Sequence, residues 1–228
     1  MPPTCPSRGF CPTRVAVWGL LAGAALLGGV LSASAASDEA GAALTHNTVR
    51  LALAFYLAAL LLMPRLGAAG WRAETLAGAA ARQCWAWGAA AFVVHLAMAF
   101  HFYHHWSHAH AVAHTRQAAG WGEGVFVSYA FTLLWCGDAL WWYAAPAAYA
   151  ARPVALGRTL HAFMLFIVVN GTVVFESGAI RWVSLVALAV LAVAWLKSPR
   201  VQRSAAEPQI IAVGSVSDAD TVVSAESG

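Results

Sequence analysis

The sequence predicts an all-α fold, a polytopic integral membrane bundle of about six transmembrane helices. Three observations predict it. The chain is 61% hydrophobic and only 10% charged, whereas soluble domains carry about 25% charged residues. Its apolar residues gather into stretches long enough to cross a hydrocarbon core, which takes about 20 residues. Its basic residues alternate between the ends of those stretches in the way that fixes orientation.

Residues 15–36 form the first span, from Val15 to just before Ser37, without a charge. Arg8 and Arg14 precede it and Ala33-Ser34-Ala35 closes it. The stretch therefore reads either as a retained helix or as a signal peptide with an A-x-A site, which would leave five helices. Gly19 and Gly23 give it a GxxxG face. The second span, 45–64, needs help. Leu51 to Pro64 alone is fourteen residues, roughly 21 Å, so Leu44 to Arg50 must extend the helix. His46 precedes that span, and Asn47 is a cap candidate.

The third span, 84–106, lies in a segment from Gln83 to Thr115 with no Asp, Glu, Lys or Arg. A helix over that whole segment would be about 50 Å long and would leave the hydrocarbon near its end. Span four, 124–145, carries Asp138; span five, 158–176, carries His161 and Asn170; span six is 181–197. Residues 1–14 read as a cytoplasmic tail, 15–200 as the bundle, and 201–228 as a flexible cytoplasmic tail. Asn170 is placed to hydrogen-bond across helices.

With the N-terminus inside, ten of the 13 basic residues face the cytoplasm, and Arg50, Arg116 and Arg181 lie outside. This predicts a multi-pass protein of the cell membrane, which is the inner membrane if the cell is Gram-negative. Trp85, Trp87, Trp141, Trp142, Tyr143 and Trp195 then form an inner aromatic belt, and Trp106, Trp121 and Trp182 an outer one. The partners this implies are the lipid bilayer, with room for a protein partner or a second copy. A net charge of +3 without a basic stripe argues against nucleic acid. Cys5, Cys11, Cys84 and Cys136 match no zinc or haem-attachment spacing.

The chemistry is concentrated in residues 101–114, HFYHHWSHAHAVAH, which hold six of the nine histidines. On a continuous helix His101, His104, His105 and His108 fall within an arc of roughly 100°, and His110 and His114 face the other way. Pairs at i, i+3 and i, i+4 can chelate one ion from a single face. Neutral imidazole suits a transition metal such as Zn, Cu or Fe. Glu176, at the outer end of span five, is a fifth candidate ligand; Glu123 and Tyr129 begin span four on the same side. The bland alternative is a solvated helix end whose histidines titrate near neutral pH.

Deeper in the bundle, His95 is an intramembrane histidine, functional by default. Asp138 and His161 come to similar depth on antiparallel neighbours, so a buried Asp–His pair is expected.

Two families share local features. His101-Phe-Tyr-His104-His105 and His110-Ala-Val-Ala-His114 resemble the histidine boxes of membrane desaturases and hydroxylases, which implies a di-iron redox enzyme. Here the boxes are contiguous, reversed in order, lack a third, and fall on the outer side. The twelve-residue separations of His95 from His108 and of His101 from His114 resemble one helix of the di-haem cytochromes b and ferric-reductase-type domains. That resemblance implies haem b, with His95 and His161 as the available ligands across about 10 Å of depth. The reading carried forward is an outer-face metal site for metal handling or redox assembly. The alternatives are a haem or di-iron protein and a non-catalytic membrane scaffold.

Overall fold

The computed structural model describes residues 12–174 and 176–198. The predicted tail 201–228, most of the tail 1–14, and Cys5 and Cys11 lie outside the described residues. Six helices are long and apolar enough to cross a membrane, and no strand occurs among the described residues. The protein is a multi-pass, membrane-type helical bundle. Its long helices are α1 (Pro12–Ala35), α2 (Ala40–Leu62), α4 (Leu76–Phe102), α6 (Gly124–Ala144), α8 (Val154–Val169) and α9 (Gly178–Leu196). Three shorter helices join them: α3 (Ala68–Trp71), α5 (His108–Ala119) and α7 (Pro146–Ala150).

Local chemistry sets the ends. Pro64 stops α2, and residues 63–65 tighten into a 3₁₀ turn. Thr75 caps α4, its hydroxyl accepting from the Gly78 amide at 3.1 Å. Gly120 at φ 74° closes α5 in the left-handed form that suits glycine. Asn170–Val174 widens into a π-helical turn after α8.

Several boundaries differ from the sequence expectation. Helix α2 starts at Ala40, so Asn47 is no cap; its amide donates to the Ser34 hydroxyl on α1 at 3.0 Å. Helix α4 starts at Leu76 rather than 84, because Arg82 is accommodated within the helix. Its guanidinium lies 4.5 Å from the ring centre of Tyr143, a cation–π contact that gives the charge a partner on α6. The same helix stops at Phe102, so residues 103–106 leave the predicted third span. Asn170 bonds back to the Phe166 carbonyl at 2.7 Å rather than across helices.

The core is aromatic. Trp85, Trp135, Trp142 and Tyr149 are fully buried. Tyr56 stacks on Trp85 at 5.7 Å and meets Trp135 edge-on at 5.5 Å. The indole N–H groups find acceptors across helices: Trp135 donates to the Trp85 carbonyl at 3.1 Å, Trp142 to Trp71 at 2.8 Å, Trp195 to Leu60 at 3.0 Å and Trp87 to Gly19 at 3.2 Å. In hydrocarbon no water can do this, so each indole fastens two elements. The expected inner belt is thereby corrected: Trp85 and Trp142 are bolts of the core. Trp106, Trp121 and Trp182 are exposed.

The GxxxG of α1 is a packing face. A Cβ on Gly23 would meet the Trp87 indole at 2.1 Å, and one on Gly19 would meet Gln83 at 2.8 Å. Helix α1 therefore seats directly on α4.

Candidate functional site

The histidine segment is a turn followed by a second helix, which overturns the continuous helix. After Phe102 the backbone passes through His105 at φ 49° and Trp106 at φ 58°, left-handed conformations that bulky residues rarely adopt. Ser107 then caps α5, accepting from the His110 amide at 3.2 Å.

The break regroups the side chains. The His104 ring lies 5.2 Å from that of His114 and 6.2 Å from that of His110, while His105 stacks on His110 at 5.9 Å. His110 and His114, placed on the far face by the straight-helix expectation, thus join His104 and His105. His101 and His108 leave. His101 packs edge-on against Phe102. His108 shares a 3.0 Å hydrogen bond with the Tyr129 hydroxyl on α6 and lies against Phe126. Glu176 is exposed and forms no ion pair among the described residues. Arg181 donates instead to the Val173 carbonyl at 2.7 Å. Glu123 stands 3.5 Å from Arg116.

His104 is the inward member of the group. Its Nδ1 is buried without a hydrogen-bond partner. Burial first, then the neighbouring His114, His110 and His105, push its pKa below the ordinary histidine value. His104 is therefore neutral at neutral pH. As placed, no three His, Cys, Asp or Glu side chains among the described residues form a group able to hold a metal ion.

At the opposite, arginine-rich end lies a buried polar network. Asp138 on α6 accepts from the Trp85 indole at 2.8 Å, from the Tyr149 hydroxyl at 2.8 Å and from Arg152 at 3.1 Å. The Arg152 guanidinium also covers the Tyr149 ring at 3.6 Å and reaches the Trp71 ring at 5.6 Å. Burial, then the charge of Asp138, hold the Tyr149 phenol far above its ordinary value, so it remains a donor. This arrangement replaces the expected Asp138–His161 pair. His161 instead sets its ring edge-on to Trp85 at 5.3 Å, with both nitrogens buried and without hydrogen-bond partners. Arg152 escaped the sequence reading because its position beside Pro153 marks it as a solvated loop charge.

His95 is satisfied locally. Its Nδ1 donates to the Thr45 carbonyl on α2 at 2.9 Å, and its ring packs on Phe92. It lies ten residues along α4 from Trp85, the residue against which His161 packs, a rise of about 15 Å. The structure does not bring His95 and His161 together around one site.

No protein-family model, curated protein or solved structure matches the chain.

Proposed function

We propose that this membrane protein handles a transition metal ion, Zn, Cu or Fe, at its histidine end, with His104, His110 and His114 as ligands and His105 as a fourth. The observation that carries this reading is the turn at 103–107, which folds two runs of histidine onto one another around an unpartnered His104 nitrogen. Two imidazoles on one tetrahedral ion at 2.0–2.1 Å have ring centres about 5 Å apart, close to the separations from His104. The exposed rings of His105, His110 and His114 have only to rotate, a fast motion for side chains in water. The neutral state of His104 favours the reading, since a metal ligates deprotonated imidazole. The same chemistry suits metal handling or the supply of metal to a redox assembly.

The arginine bias supports a histidine end on the non-cytoplasmic side of the membrane, with both termini in the cytoplasm. Reporter fusions after Gly120 and after Gly228 are expected to report outside and inside, respectively. A cytoplasmic signal at Gly120 reverses the orientation.

Metal titration into purified protein tests the site. Wild type is expected to bind Zn²⁺ or Cu²⁺ at pH 7.5, and His104→Ala or His114→Ala to weaken binding at least tenfold. His101→Ala and His108→Ala are expected to leave it nearly unchanged. Binding should weaken on going from pH 7.5 to 5.5. His104 stays neutral further into acid than a free histidine, but a metal ligates only deprotonated imidazole, so protons compete with the ion as the pH falls. Equal binding by a His104/His110/His114 triple alanine variant defeats the assignment, and no metal binding by wild type favours the scaffold reading.

A further inference from the structure

A cavity of about 930 Å³ opens at the arginine-rich end, bounded by the 3₁₀ turn that follows α2 and by α3, α7, α8 and α9. Its polar lining includes Arg152, Arg158 and His161, and among the described residues no Asp or Glu lines it. Below these lie Leu165, Leu188 and Leu191. We propose that this cavity holds an anionic phospholipid, with its phosphate against Arg158 and Arg152, an ester carbonyl at His161 and acyl chain along the leucines.

Four features argue for that occupant. Arg152 is half committed: Nη1 bonds Asp138, while its Nε and Nη2 edge lies against Gly157 of α8, where an added Cβ would come within 3.3 Å of both atoms. The Asp138–Arg152 pair is neutral together, so Arg158, with no ion pair among the described residues, supplies the net positive charge. Positive charge at this level attracts acidic headgroups.

Arg158 and His161 are three residues apart on α8, hence on one face and about 4.5 Å apart in depth. That offset matches a phosphate at the interface and an ester one step further in. His161 also carries two buried nitrogens without partners, a costly state in hydrocarbon, and a lipid ester offers one of them an acceptor.

The fourth feature is access. Met164 is the buried residue of α8, and Leu191 that of α9, so this hairpin presents most of its surface to lipid. An acyl chain reaches the leucines from the side, without crossing water. A free phosphate would use the arginines alone and leave the apolar floor empty.

The test is native mass spectrometry of the full chain in detergent, with added phosphatidylglycerol or phosphatidylcholine. Wild type is expected to retain phosphatidylglycerol in preference. Arg158→Gln should lower that retention about fivefold, the equivalent of about 1 kcal/mol. His161→Phe and Leu188→Trp, which respectively remove the polar step and fill the floor, should each lower it further. Equal retention of both lipids, or full retention by Arg158→Gln and Leu188→Trp, overturns the proposal. So does displacement of the lipid by millimolar inorganic phosphate, which identifies a soluble anion as the ligand. A Soret band on addition of haemin, lost in His161→Phe, overturns it in favour of haem.

Discussion

Asp138→Ala is expected to cost the protein about 3–5 kcal/mol, the loss typical of removing one partner from a buried pair. The side chains of Asp138 and Arg152 are 7% and 9% exposed. Truncation strands the Arg152 guanidinium beside the Tyr149 and Trp71 rings with no counter-charge. It also strips acceptors from the Trp85 indole and the Tyr149 hydroxyl. Replacing both charges, as in Asp138→Leu with Arg152→Met, removes the desolvation cost of each and should be milder than the single change. Thermal unfolding in detergent checks both. A double variant as damaged as the sum of its singles would show that the two side chains act independently.

The second large effect is steric. Gly78→Val is expected to cost about 2–3 kcal/mol through overpacking. A Cβ at Gly78 would lie 2.0 Å from the Gly70 carbonyl oxygen, and a backbone atom cannot turn aside as a side chain can. Helix α3 would have to lift from α4. It carries Trp71, whose carbonyl accepts the Trp142 indole N–H and whose ring meets Arg152. The loss should therefore show as a lower unfolding temperature together with increased quencher access to Trp142. Unchanged unfolding in Gly78→Val would mean that α3 is not held against α4.

The membrane bundle was legible because lipid imposes a coarse rule: long apolar stretches, few charges and basic residues at one end. Details that depend on three-dimensional partners were not. Arg82 looked like a boundary because its partner, Tyr143, is 61 residues away. Asp138 was recognised as needing a partner, yet helix depth alone suggested His161 rather than Arg152, which folds back from the loop. The inner tryptophans carried a belt signature that also fits cross-helix hydrogen bonds.

The histidine segment contains neither Gly nor Pro to announce a break. Ser107 was its one local signal, a good N-cap two residues after the His104-His105 pair. An N-cap at that place predicts that His110 and His114 start a new helix and can face back. The left-handed residues before it carry no sequence signature.

Those two residues have a consequence for how the protein would evolve or be engineered. His105 and Trp106 hold backbone angles that glycine adopts without penalty. Glycine at 106 would relieve the strain but give up an indole that is 65% exposed and meets the Phe100 ring at 6.1 Å. At 105 the same replacement would relieve the backbone and delete an imidazole. On the proposed metal reading, selection for stability and selection for histidine chemistry would then diverge at adjacent codons: at 106 glycine trades a surface indole for backbone ease, while at 105 it would delete a ligand.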